Sequence, residues 1–310
     1  MNKTKDETMN TDIIHPKFKD GRVFVSPVIG CNGGCKYCYL KLRNLNKPSL
    51  NNLGVSSLIE QITSHQDFIS GKNGTIISIG AWGDIFQNIK TVNYSVKLII
   101  ELMKLGNPIQ FMSKYGVDSK NASKIANNIQ YHNQMLYSTT ITSLKKWDEL
   151  EPFTFSPKKR LDTCNMFQEY GIESNVLIKP FLPGITDIEF EHIIDLLIER
   201  GIKYCVVGKL YLNKEIQYNL IHGGIMCENI IKEHSTLDCN GDIEINSSSI
   251  TSLYDFIKKH NDKRIKIFLK SSCVNSNINQ TNNPSNYFIN HSRYCINCGN
   301  CSKNRILPPR

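Results

Sequence analysis

The chain has 310 residues, 40% of them hydrophobic and 21% charged, with a formal net charge of +9 at pH 7. Those fractions are ordinary for a soluble globular protein, and the length can bury a sizeable core. No run of 18 or more apolar residues occurs, which excludes a membrane-spanning helix, and the polar opening "MNKTKDETMNTDIIHPKFKD" does not read as a secretory signal.

In chain order, residues 1–20 are expected to form a partly mobile arm. From Arg22 onward, short β-branched runs alternate with longer helical patterns. The expected strands are "RVFVSPV" (22–28), "TIISIG" (75–80), "PIQFMS" (108–113), "MLYSTTI" (135–141), "SNVLIKP" (174–180) and "KYCVVG" (203–208). Each is bounded by Gly, Pro or Asn. Amphipathic helices are expected near 54–68, 91–105, 117–129, 157–170 and 187–200. In "DIEFEHIIDLLIERG", Phe190, Ile193, Ile194, Leu197 and Ile198 line one face, Asp187 and Glu189 suit the positive end of the helix dipole, and Gly201 stops the helix. Strand–helix alternation builds a parallel sheet with right-handed crossovers. The expected fold is therefore α/β, a partial (β/α)6 TIM-like barrel over residues 21–210. After about residue 210 the rhythm breaks. "NKEIQYNLIHGG" and "SITSLYDFIKKHN" read as helical and "RIKIFLK" (264–270) as a strand. An Asn-rich loop then leads into a small cysteine-rich extension, so that 211–310 forms a separate unit.

The protein is expected in the cytosol, where clustered cysteines are more often metal ligands or catalytic thiols than disulfides. Eleven cysteines are present, an odd count that argues against full pairing. Three fall at Cys31-x3-Cys35-x2-Cys38, directly after the first strand. In α/β barrels that end of the sheet is where active sites are built. Structural thiols, a zinc knuckle and a redox cluster are the alternatives. Three ligands are fewer than the four that close a structural zinc site, and a cubane held by three thiolates leaves one iron open.

The spacing, with Tyr37 before the last cysteine, resembles the signature of radical S-adenosylmethionine (radical SAM) enzymes. More closely, "GCNGGCKYCYLK", "GDIFQ" (83–87), "TITSL" (140–144) followed by "EPFTFSPKKRL" (151–161), and "IKPFLPGITD" (178–187) resemble, in order, motifs of the spore photoproduct lyase-like branch. The resemblance covers most of residues 22–210. It implies a [4Fe–4S] cluster on Cys31, Cys35 and Cys38, with S-adenosyl-L-methionine chelating the open iron. It also implies that Tyr37 lies against the adenine and that the backbone of Gly80–Asp84, Gly83 included, receives the methionine amino group. Lys114 would meet the carboxylate, and Thr140 takes a place often held by Ser. A reducing partner such as flavodoxin or ferredoxin is implied as well. One departure stands out: where true spore photoproduct lyases carry a hydrogen-donating cysteine, "GAWGD" places Ala81, so a different substrate is expected.

"YCINCGNC" places Cys295, Cys298 and Cys301 in a run like the start of a ferredoxin motif, with Cys273 as the expected fourth ligand and Cys227 or Cys239 as alternatives. A second [4Fe–4S] cluster is expected there, with zinc as the alternative. Cys164 and Cys205 read as buried core thiols. Arg160 is a candidate to pair with Glu151. Trp82 and Phe86 either cover the cofactor or fill the core. The leading function is a radical SAM oxidoreductase or lyase acting on nucleic acid or a nucleotide. The alternatives are a peptide- or protein-modifying enzyme and a non-catalytic Fe–S electron carrier. The basic residues are spread out, with runs only at Lys145-Lys146 and Lys158-Lys159-Arg160, so charge alone does not name a partner.

Overall fold

The computed structural model describes residues 13–19, 21–212, 214–224, 235–237, 243–245, 256–260, 264–281 and 283. Its strands are β1 (Lys17–Lys19), β2 (Arg22–Val25), β3 (Val28–Ile29), β4 (Ser49–Leu50), β5 (Ile76–Ile79), β6 (Ile109–Met112), β7 (Met135–Thr140), β8 (Glu173–Ile178), β9 (Tyr204–Val207), β10 (Tyr211–Leu212), β11 (Ser235–Leu237), β12 (Ile243–Ile245) and β13 (Lys266–Phe268). The helices are α1 (Gly54–Thr63), α2 (Ile89–Met103), α3 (Ser119–Ala126), α4 (Trp147–Leu150), α5 (Pro157–Glu169), α6 (Thr186–Glu199), α7 (Lys214–His222) and α8 (Ser271–Asn279).

One eight-stranded sheet, ordered β1-β2-β5-β6-β7-β8-β9-β13, carries the fold. From β2 to β13 every pairing is parallel, and β1 folds back antiparallel on β2 at the edge. All six strands expected from the sequence lie in this sheet. The first is shorter than expected, because the chain leaves it before Pro27, which has no N–H for a ladder, and resumes as β3, paired with β4.

The sheet is buried on both faces, apolar on one and mixed on the other, where Ser78, Gln110, Ser138 and Asn175 lie among the apolar residues. Val23, Val25, Ile77, Ile79, Phe111, Tyr137, Val176 and Val207 point to one side, where they pack with Leu58, Leu102, Ile125, Phe167 and Phe190 from the crossover helices. On the other side Leu136, Leu177, Val206 and Phe268 form a second cluster with Val274 of α8. Three helices begin at side-chain caps. Asn88 and Thr91 form a reciprocal capping box on α2, Asp118 accepts from Asn121 N at 2.8 Å at α3, and Ser156 precedes Pro157 at the first turn of α5.

Strand β13 comes from the stretch expected as a separate extension, and it pairs in register with β9, Ile267 opposite Cys205. The N-terminal residues 1–12 and the cysteines 227, 239, 295, 298 and 301 lie outside the described residues. Among the described residues no helix is long and apolar enough to cross a membrane.

Candidate functional site

The site is built where β2, β5, β6 and β7 end. The cysteine loop leaves β3 and is tied to its neighbours through the backbone. Gly30 N donates to Trp82 O at 2.7 Å, Cys31 N to Leu45 O at 3.1 Å and Lys36 N to Leu150 O at 2.9 Å. Gly34 sits at φ +69°, where a Cβ would meet the Phe153 ring at 2.8 Å. Gly83 bridges Gly30 across the loops, and a Cβ there would lie 2.5 Å from Val28 O. Both positions therefore require glycine, one for its backbone angle and both for room.

Gln87 stitches the cysteine loop to the loop after β5: Asn32 N donates to its Oε1 at 2.9 Å, while its amide donates to Gly30 O at 3.3 Å and Asp84 O at 3.0 Å. Asp84 is buried. It accepts from Ser113 Oγ at 2.5 Å, Lys114 N at 2.7 Å and Phe86 N at 3.1 Å. Burial raises the Asp84 carboxyl above its ordinary range, and those three donors pull it back. Its side chain is thus committed to fixing the ends of β5 and β6. Sequence reasoning gave Gln87 and Ser113 no role. The only signal was their position, Gln87 closing "GDIFQ" and Ser113 preceding Lys114.

Cys35 is buried, whereas Cys31 and Cys38 are half-buried. Burial, with the Asp84 charge nearby, pushes the Cys31 thiol up to about 12, while the Gly33 amide opposes it. Burial likewise pushes Cys35 up to about 11, against the Lys114 ammonium. Two donors aim at these sulfurs: Gly33 N reaches Cys31 Sγ at 3.3 Å and Lys114 Nζ reaches Cys35 Sγ at 3.3 Å. Such donors suit thiolates that ligate a metal, whose charge drives off the proton. Among the described residues no three His, Cys, Asp or Glu side chains converge as ligands of one ion. Each thiolate of a cubane binds a different iron, so the three need not converge on one point. The donor set therefore fits an Fe–S cluster.

Lys114 also donates to Tyr37 Oη at 2.8 Å, lies 4.7 Å from the Tyr37 ring centre and pairs with Glu151 Oε1 at 3.1 Å. The Tyr37 hydroxyl donates to the same carboxylate oxygen, and the Arg160 guanidinium pairs with the other. The Glu151–Arg160 pair considered from the sequence is thus present and fully buried. Burial raises the Glu151 carboxyl, opposed first by the Arg160 charge. Tyr37 packs against the apolar cluster of Leu150, Leu182, Ile185, Leu210, Ile216 and Leu220.

Gly80 follows β5, its N–H donating to Val25 O at 3.4 Å, and Thr140 ends β7, its carbonyl accepting from Arg160 Nη1 at 2.7 Å. Phe86 is core, edge-on to Phe111, whereas half-buried Trp82 stands edge-on to Tyr39 under the Arg43 guanidinium. The Tyr39 hydroxyl donates to Ala81 O. Cys273 lies apart from this set, in the first turn of α8. It packs on the Leu136–Val206–Phe268 face and accepts from Asn283 Nδ2 at 3.1 Å.

No family model matches the chain. An uncharacterized protein of Methanocaldococcus jannaschii is 22% identical over 178 residues, a match that spans 56% of this chain and 66%, just under two thirds, of that protein. A doubly substituted spore photoproduct lyase with bound AdoMet and dinucleoside spore photoproduct superposes with a TM-score of 0.62 at 13% identity, covering 86% of this chain and 85% of that one. Spore photoproduct lyase complexed with dinucleoside spore photoproduct gives 0.60 at 15% identity, over 77% and 74% of the two chains. The chain thus carries the fold of spore photoproduct lyase, and the resemblance to that branch of the radical SAM superfamily, read from its short motifs, is borne out at the level of the fold.

Proposed function

We propose that this protein is a radical SAM enzyme that holds a [4Fe–4S] cluster on Cys31, Cys35 and Cys38 and binds S-adenosyl-L-methionine beside it. The observation that carries the reading is the pair of donors, the Gly33 amide and the Lys114 ammonium, aimed at two of the three thiols on the loop that leaves β3. When bound, the cluster and cofactor would supply reductive cleavage of the sulfonium, giving a 5′-deoxyadenosyl radical that abstracts hydrogen from substrate.

The chain's own residues orient and enclose. In this reading the backbone of Gly80–Asp84, kept rigid by the buried Asp84 carboxylate, takes the cofactor's amino group. Lys114, whose three donors are taken by Cys35, Tyr37 and Glu151, faces the cofactor's carboxylate as a charge only, and Tyr37 supplies an aromatic face. Thr140, at the end of β7, borders the same space. The substrate class we assign is nucleic acid or a nucleotide, supported by the lyase fold and the +9 net charge. With Ala81 in the place of the lyase thiol, it is not spore photoproduct repaired by that route. A flavodoxin- or ferredoxin-like reductant, a cytoplasmic location and a second cluster on Cys273, Cys295, Cys298 and Cys301 complete the proposal.

Anaerobic reconstitution tests it. About four irons for each cubane are expected, with an EPR signal of the reduced protein that shifts on adding S-adenosylmethionine. Both the first cluster and the shift should vanish when Cys31, Cys35 and Cys38 are changed to Ala. A cluster whose signal ignores the cofactor would leave an electron carrier, and zinc retained in the variant would make the C-terminal site structural.

A further inference from the structure

Lysine side chains at the ends of strands ordinarily sample many rotamers. Lys114 does not have that freedom. Its side chain is 18% exposed, and its ammonium is shared between Cys35 Sγ, the Tyr37 hydroxyl and Glu151 Oε1. The anchor of the arrangement lies deeper. Arg160 donates from Nε to Phe155 O at 2.6 Å and from Nη1 to Thr140 O at 2.7 Å, and its Nη2 reaches the Thr154 hydroxyl. These contacts bind the guanidinium to the end of β7 and to the turn before α5. Glu151 lies against the fixed guanidinium, accepts from Thr142 Oγ1 at 3.4 Å, and presents its remaining capacity to Lys114 and Tyr37.

We propose that Glu151 is a positioning residue, held by Arg160, that keeps the Lys114 ammonium on the Cys35 sulfur and thereby raises the reduction potential of the cluster bound there. The inference rests on the radical SAM reading above and assigns a tuning device within that site. A cation beside a ligating thiolate favours the more negative, reduced cluster. The charge of Glu151 acting through space would do the opposite, so the sign of the effect separates positioning from plain electrostatics.

The experiment is an EPR-monitored redox titration of the reconstituted wild type and of the variants Lys114→Met, Glu151→Asp, Glu151→Gln and Lys114→Met/Glu151→Asp. Thermal unfolding of each reports folding. Aspartate keeps the charge and the Arg160 pair but withdraws the carboxylate by one methylene. Under the proposal Lys114→Met lowers the potential, Glu151→Asp lowers it in the same direction, and the double variant falls no further than Lys114→Met alone. Glu151→Gln, which leaves two cations without their anion, is read only alongside Glu151→Asp. A Glu151→Asp potential equal to wild type overturns the inference, as does a double variant that falls further than Lys114→Met alone. A wild-type chain that takes up no four-iron cluster overturns the functional reading and this inference together. A normal cluster with an unmoved potential in Glu151→Asp overturns the inference alone.

Discussion

Gly83 shows how closely the cysteine loop is fitted to its neighbour. A methyl group there would sit 2.5 Å from Val28 O and 2.7 Å from Gly30 O, both backbone atoms that cannot swing away. Gly83→Ala is therefore expected to destabilise the protein by about 1–3 kcal/mol, in the range of overpacked interiors. It should also loosen the Gly30–Gly83 bridge, and urea denaturation would check the first effect. An unchanged midpoint would mean that the loops accommodate the group. At this scale the sequence was informative where chemistry is local. The cysteine spacing, Tyr37 and Lys114 could all be found from motif and resemblance, and Arg160 was matched to Glu151. The roles of Gln87 and Ser113 could not, because each depends on a partner brought near only by the fold: Asn32, 55 residues away, for Gln87 and Asp84, 29 residues away, for Ser113.

Helices α5 and α6 are joined by an ion pair from Arg200, just past the end of α6, to Asp162 inside α5, Nη1 to Oδ1 at 2.7 Å, with Lys158 Nζ on Asp162 Oδ2 at 3.0 Å. These cations hold the Asp162 carboxyl below its usual range, with Arg200 the larger influence. A carboxyl depressed in the folded state adds stability that is present above its unfolded value, near 3.9, and is lost as pH falls through the folded value. Because the side chain is 43% exposed, solvent screening keeps the gain within about 1 kcal/mol. Asp162→Asn should thus cost little at neutral pH and less in acid, and paired melts at pH 7 and pH 3 would show the decline. An equal loss at both would place the effect in packing instead. The elements themselves were legible from periodicity. The five crossover helices and six strands fall where their apolar spacing puts them, because each must bury one face or both. What periodicity could not show was the interruption at Pro27 or the short α4, too brief to carry a pattern.

For the molecule as a whole, the informative feature is the return of the chain at β13. The strand expected at 264–270, in the stretch read as a C-terminal extension from residue 211, joins the main sheet: Ile267 and Phe268 pair with β9, and α8 covers Leu136, Leu177 and Val206. Pairing between segments some 60 residues apart leaves no mark in either one, which is why the strand was legible and its neighbour was not. A chain ending at residue 263 is expected to lose cooperative unfolding and to bind a dye for exposed apolar surface. A truncated chain that melts as sharply as the full one would support an independent core over 21–210.

The two thiols enclosed by this core have a practical bearing. Cys164 and Cys205 are wholly buried, and burial raises both well above the ordinary thiol value, so they stay protonated and out of contact with solvent. Ferrous ions supplied during loading meet no exposed thiolate at either position. Iron counted per folded chain is therefore expected to report the other cysteines rather than these two.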